Sequence, residues 1–181
     1  MKTMHLMRSL MFVPGHNEAL LRKAAVSDAD VLLLDVEDSV QPIQNKEVAR
    51  NLILSLLAEG IFDEKPIYVR INDRESGEML KDLLSLSVHQ IEGFVYPKAK
   101  GAEDIVFMDL LLETIEFKDG LKRGKFNLIP LIETAEAVLN VLNIAKSSKR
   151  IVGLAYGCED FLADLEGLHD DTESALFVPR A

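Results

Sequence analysis

Charged side chains follow short apolar runs throughout this sequence, and that placement makes them candidates for chemistry. VLLLDVEDSV carries Asp35, Glu37 and Asp38, and IYVRIN carries Arg70 and Asn72. GFVYPKA carries Lys98, NLIPLIET carries Glu133, and IVGLAYGCED carries Glu159 and Asp160. If the runs are parallel strands, these residues cluster at the strand ends where such sheets place ligands. Carboxylates from three strand ends then converge on one mouth. Hard divalent cations want oxygen ligands, and Mg²⁺ commonly takes only one or two carboxylates.

Plainer roles compete for the same residues. An acid at a strand end often caps the next helix or sits in its first turn, a reading open to Asp35, Glu136 and Glu159. Glu133 stays in register with an apolar strand, and the nearby Pro130 resists a helix there. Arg70 stands between Val69 and Ile71, so it faces opposite to them, towards a barrel interior or a partner. Its alternative role is an ion pair that closes a layer of the barrel.

Other chemistries find little support. His5, His16, His89 and His169 show no HxxxH or HExxH spacing, which argues against zinc. Ser9, Ser39 and Cys158 lack a nucleophile elbow or triad signature, and Cys158 reads as filler. No GxGxxG loop follows the first strand, and no GxxxxGK[ST] loop occurs.

The elements that must position these groups follow a single rhythm. Apolar runs at 9–13, 31–36, 67–71, 93–96, 126–132 and 151–155 are nearly continuous, as expected of strands covered on both faces. Between them lie one-sided helical patterns over 47–59, 105–115 and 134–146. Six βα units in series predict a parallel α/β sheet, either an open doubly wound sheet or a barrel. The 181 residues, 48% of them hydrophobic, read as a single domain. Twenty basic against thirty acidic residues give a charge of −10, which argues against a general nucleic-acid binder. No run approaches a membrane span, no targeting segment is read, and the lone Cys158 is consistent with a reducing cytoplasm.

Six segments together resemble the citrate lyase β-subunit group of the HpcH/HpaI aldolases, which includes malyl-CoA and citramalyl-CoA lyases. They are RSLMFVPG (8–15), DVEDSV (35–40), VRIN (69–72), YPKA (96–99), LIET (131–134) and GLAYGCEDFLADL (153–165). The resemblance implies a TIM-type (β/α)8 barrel, of which residues 1–181 supply about six units as one partial domain. It implies Mg²⁺, with Mn²⁺ as the alternative, held by Glu133 and Asp160, and a substrate carboxylate bound by Arg70. Glu37 and Asp38 are then acids that hold water on the metal, and Arg8 and Lys98 contact the anionic substrate or CoA. GHNEA replaces the family's more basic, proline-containing turn after the first strand.

The implied activity is metal-dependent cleavage of a citryl-, malyl- or citramalyl-type thioester, carried by CoA or an acyl carrier, into a keto acid or aldehyde and an acyl thioester. Two alternatives stand beside it: a pyruvate-type class II aldolase without CoA, and an inactive chain that acts as an assembly or regulatory partner. The resemblance places further catalytic groups, including an aspartate lent by a neighbouring subunit, beyond the sixth unit. With strands seven and eight absent, six strands expose two parallel edges, so the expectation is a homo-oligomer or a place in a lyase complex.

Overall fold

A computed structural model describes residues 6–167, 175–176 and 179. Six strands form one parallel sheet in strict sequence order: β1 (Leu10–Pro14), β2 (Val31–Asp35), β3 (Ile67–Arg70), β4 (Gly93–Tyr96), β5 (Asn127–Ile132) and β6 (Ala155–Tyr156). A doubly wound sheet reverses its strand order part way, and this one never does. The order is that of a singly wound, curled sheet, the arc of a TIM-type barrel.

The two-residue period of the strands sorts the side chains. Leu32, Leu34, Ile67, Val69, Phe94 and Leu128 face outwards into the larger core, shared with the helices. Val31, Leu33, Tyr68, Val95, Ile129 and Leu131 face inwards and bury one another within the arc. Continuing the same alternation places Asp35, Arg70 and Glu133 on the inner face at the strand exits.

The helices are α1 (Glu18–Ala25), α2 (Asn45–Ala58), α3 (Met79–Leu86), α4 (Ala102–Lys118), α5 (Ala135–Leu139), α6 (Val141–Lys146) and α7 (Cys158–Asp164). The pattern expected to give one helix over 134–146 gives two. Thr134 caps α5 by accepting from the Ala137 N–H at 3.1 Å, and α5 ends at Asn140, whose Nδ2 reaches the Lys100 carbonyl. The sixth strand starts later than expected: Ile151 makes only an isolated bridge to Leu128, and regular pairing with β5 covers Ala155 and Tyr156. Helices α1 and α3 are one-sided but lie outside the helical stretches read from the sequence; Asn17 caps α1 by accepting from the Leu20 N–H.

Ion pairs tie the opposite, N-terminal end of the strands. Arg150 donates to Glu116 through both terminal nitrogens and to Asp109 through Nε, joining α4 to the approach to β6. No described helix is long and apolar enough to cross a membrane.

Candidate functional site at the strand exits

The site begins with the register of β2 and β3, which sets Asp35 directly beside Arg70. The Arg70 guanidinium donates from Nε to Asp35 Oδ1 at 2.8 Å and from Nη2 to Oδ2 at 2.7 Å. Its Nη1 lies 3.3 Å from Asp38 and 3.3 Å from Glu37, and its plane passes over the Phe12 ring. Burial alone would raise the Asp35 carboxyl, but the hydrogen bonds and charge of Arg70 outweigh it and leave it below its ordinary value. Asp35 also accepts from the Glu37 and Ser39 amides, so it organises the turn after β2 and is not a helix cap. Glu136 and Glu159 do occupy the first turns of α5 and α7.

Glu37 is presented by that turn. Its amide is held by Asp35, its carbonyl accepts from Lys46 Nζ at 2.7 Å, and the preceding Val36 carbonyl accepts from Asn72 Nδ2. Its carboxylate is 4% exposed as a residue, and neither oxygen has a hydrogen-bond partner. Arg70 Nη1 and Lys98 Nζ stand at 3.3 and 3.4 Å, close enough for charge attraction but without hydrogen-bond geometry. Burial, with help from Asp38 and Asp35, pushes Glu37 up to about 7 against the pull of Arg70 and Lys98.

Glu133, the residue after β5, is 1% exposed. Its Oε1 accepts from the Lys98 backbone N–H at 2.6 Å. Burial first, then the Asp160 and Glu37 carboxylates, push it up to about 8. Asp160 lies in the first turn of α7, half-buried. Lys98 turns its ammonium to Asp73 at 3.2 Å. Asp73 and Lys46 were not among the residues singled out from sequence; Asp73 directly follows the VRIN segment, while Lys46 carries no signal short of the fold.

These exits therefore bring together Glu37, Asp38, Arg70, Lys98, Glu133 and Asp160, as expected. Arg8 does not join them. It precedes β1, at the N-terminal end of the sheet, where Asp30 binds its guanidinium through Nε at 3.0 Å and Nη2 at 2.8 Å. A residue before a parallel strand lies at the end away from the mouth, and five strand residues separate Arg8 from it.

The donor set fits a small, hard cation. Glu133 and Asp160 are neighbouring carboxylates in a buried setting, and the bare oxygens of Glu37 can accept from water. Among the described residues no group of three or more Asp, Glu, His or Cys side chains could enclose a metal. Mg²⁺ usually keeps several waters and takes one or two carboxylates. Of the histidines, His89 precedes β4 at the far end of the sheet, and His16 follows β1 at the same end as the mouth, with its Nδ1 buried and without a hydrogen-bond partner. His5 and His169 lie outside the described residues.

Known proteins share this arrangement of strands. The citrate lyase subunit beta of Haemophilus influenzae is 32% identical over 163 residues, 90% of this chain and 56% of that protein. The L-malyl-CoA/beta-methylmalyl-CoA lyase of Rhodobacter capsulatus is 33% identical over 87% of this chain and 50% of its own length. A solved citrate lyase beta subunit from M. tuberculosis, complexed with oxaloacetate and magnesium, is 26% identical, with a TM-score of 0.64 over 88% of this chain and 62% of that one. The chain thus spans about half the length of the curated relatives it matches. The family model for HpcH/HpaI aldolase/citrate lyase matches residues 8–181, essentially the whole sequence, and the chain belongs to that family.

Proposed function

We propose that this chain carries the metal- and keto-acid-binding part of a carbon–carbon lyase acting on citryl-, malyl- or citramalyl-type thioesters. The observation that carries this reading is the meeting of Glu133, Asp160 and the unsatisfied Glu37 at one mouth, beside Arg70 and Lys98. Both curated relatives are named as lyases of this chemistry or a subunit of one, and the solved relative holds oxaloacetate with magnesium.

Glu133 and Asp160 would hold Mg²⁺, or Mn²⁺ in its place, and the cation when bound would supply a positive charge for the developing negative charge on the hydroxy- or keto-acid oxygens. Arg70 contributes through Nη1, because Asp35 already occupies its forked edge. A substrate carboxylate arriving there displaces Asp38, the more exposed of the two acids near Nη1. Lys98 supplies a second positive charge, and Asp73 keeps it aimed across the mouth. Glu37, held at its backbone on three sides, orients water without moving.

Titration calorimetry with Mg²⁺ on Glu133→Gln and Asp160→Asn tests the metal assignment, and undiminished affinity in both would sink it. Turnover of citramalyl-, malyl- and citryl-thioesters by this chain tests the activity. Failure with all three, alongside intact Mg²⁺ and oxaloacetate binding, would favour an assembly or regulatory role. A second reading is a pyruvate-type aldolase that uses the same metal and arginine without CoA. The position of Arg8, remote from the mouth and already bound by Asp30, supports it, because the residue expected to contact CoA stands away from the other site residues. Cleavage of free 4-hydroxy-2-keto acids in preference to thioesters would decide for it. As a partner, a second copy of the chain is proposed, pairing at the open strand edges.

A further inference from the structure

Glu133 is gripped from both flanking strand exits by main chain alone. On the β4 side, Lys98 has φ +51°, a left-handed conformation uncommon for a residue with a side chain. Pro97 precedes it, and a residue of positive φ after proline is where a turn ordinarily carries glycine or asparagine. The Lys98 N–H in this turn donates to Glu133 Oε1, 2.6 Å away, and the left-handed φ carries the following chain off while that bond is kept. On the β6 side, Gly157 passes so close that a Cβ there would lie 2.7 Å from Glu133 Oε2 and 2.8 Å from Glu133 Cβ. Gly157 N in turn donates to the Ile132 carbonyl, just before Glu133, at 3.0 Å. Backbone strain held at a mouth of buried acids is the pattern expected where geometry serves function.

We propose that Lys98, through its backbone, and Gly157, through its missing side chain, are positioning residues that fix the Glu133 carboxylate for the metal. The proposal rests on the reading that Glu133 is a metal ligand and deepens it. One oxygen is tied to a fixed donor, and the other is left beside the bare Gly157 with no freedom to swing. A long glutamate side chain would otherwise lose rotamer freedom when it binds a cation.

Two comparisons test it on the whole chain. Lys98→Gly and Lys98→Val both remove the ammonium and keep the N–H, but only glycine adopts the left-handed conformation readily. By calorimetry, Lys98→Val should bind Mg²⁺ about tenfold more weakly than Lys98→Gly, the loss expected when a hydrogen bond to a charged group goes. Equal affinities would overturn the backbone role. In the metal-free chain, Gly157→Ala should lower the melting temperature by several degrees, and that shift should disappear in a Glu133→Gly background, where both the carboxylate and the Cβ that the new methyl would meet are gone. A shift of the same size in both backgrounds would overturn the close approach. If Gly157→Ala folds only together with Glu133→Gly, the approach is supported. A Glu133→Gln chain that binds Mg²⁺ as tightly as the parent would defeat the metal reading, and the melting comparison would still judge the clamp.

Discussion

Arg70 gives the forked edge of its guanidinium to Asp35, with Nε and Nη2 at 2.8 and 2.7 Å from the two carboxylate oxygens. The arginine therefore already has a carboxylate partner inside the chain, and what it offers the mouth is Nη1. Two roles that looked like alternatives in the sequence, a barrel-closing ion pair and a carboxylate binder, are divided between two edges of one side chain.

Asp35→Asn should consequently destabilise the fold by about 2–4 kcal/mol, because it leaves a largely buried guanidinium without its main counter-charge. Arg70→Lys should cost about 1–3 kcal/mol of stability through loss of the fork, and should also weaken oxaloacetate or glyoxylate binding. Urea denaturation followed by circular dichroism reads the first effect, and calorimetry reads the second. An unchanged urea midpoint in Arg70→Lys would mean that the fork to Asp35 contributes nothing.

The mouth acids set a pH dependence whose sign can be worked out. Glu37 and Glu133 are raised to about 7 and about 8, above an ordinary glutamate value of about 4.3. The folded chain thus holds more protons than the unfolded chain between these limits. Metal-free stability is fully present below the ordinary value and falls as pH rises through 7 and 8, by a total on the order of a few kcal/mol. Asp35, lowered by Arg70, acts oppositely and withdraws stability only as pH falls through its own depressed value. Mg²⁺ must displace the proton on Glu133, so its affinity should climb with pH up to about 8 and then level off. Melting temperatures from pH 5 to 9 without metal, and calorimetry over the same range with it, check both halves. Metal-free stability rising from pH 6 to 8 would contradict the assignment.

How far the sequence could be read depended on whether a property was local. Asp35, Arg70 and Glu133 reach the inner face by the two-residue alternation of their strands, which needs no tertiary information. The direct pairing of Asp35 with Arg70 depends on the register between β2 and β3, which lies in no single segment. Arg8 shows motif matching outrunning geometry: it sits in a matched segment, yet before its strand, and that order already placed it at the far end. Gly157 was visible only as a glycine, because the close approach that demands it belongs to Glu133, 24 positions earlier in the chain. Asn140 interrupts the helix expected over 134–146 with a non-helical backbone and a side chain that donates to the Lys100 carbonyl, and its apolar neighbours at helical spacing hide that break.

A buried polar chain behind the mouth makes a separate prediction. Asp82 on α3 is fully buried and accepts from the Asn72 N–H, from Asn72 Nδ2 and from Arg50 of α2, all within 2.8 Å. Asn72 Nδ2 then reaches the Val36 carbonyl beside Glu37, so α2, α3 and the exits of β2 and β3 share one network. Asp82→Ala leaves the Arg50 charge with Glu78 alone and frees two Asn72 donors, and should cost about 3–5 kcal/mol. Asp82→Asn keeps the shape and an acceptor oxygen and should cost less. Equal urea midpoints for the alanine variant and the parent would show that the network is not needed for the fold.

The last prediction concerns the open sides of the arc. The outer edges of β1 and β6 pair with no described strand, and Leu10 and Phe12 near one edge and Val152 and Leu154 near the other are exposed. Parallel strands are normally covered on both faces, and unpaired strand edges are templates for association. Burying the edges without partners would cost about 1–3 kcal/mol per polar backbone group, so several such groups rival the whole stability of a domain. Leaving them wet exposes the apolar side chains instead. Pairing with a second copy relieves both costs, and the 181-residue chain should therefore self-associate at low micromolar concentration. Replacing Val152 with lysine, which leaves Phe12 in place beneath Arg70, should shift it towards monomer, since charge on an edge opposes pairing. Light scattering on freshly purified parent and variant measures this directly. A parent chain that is a single monomeric species with cooperative unfolding would show that six strands suffice and that the edges need no partner.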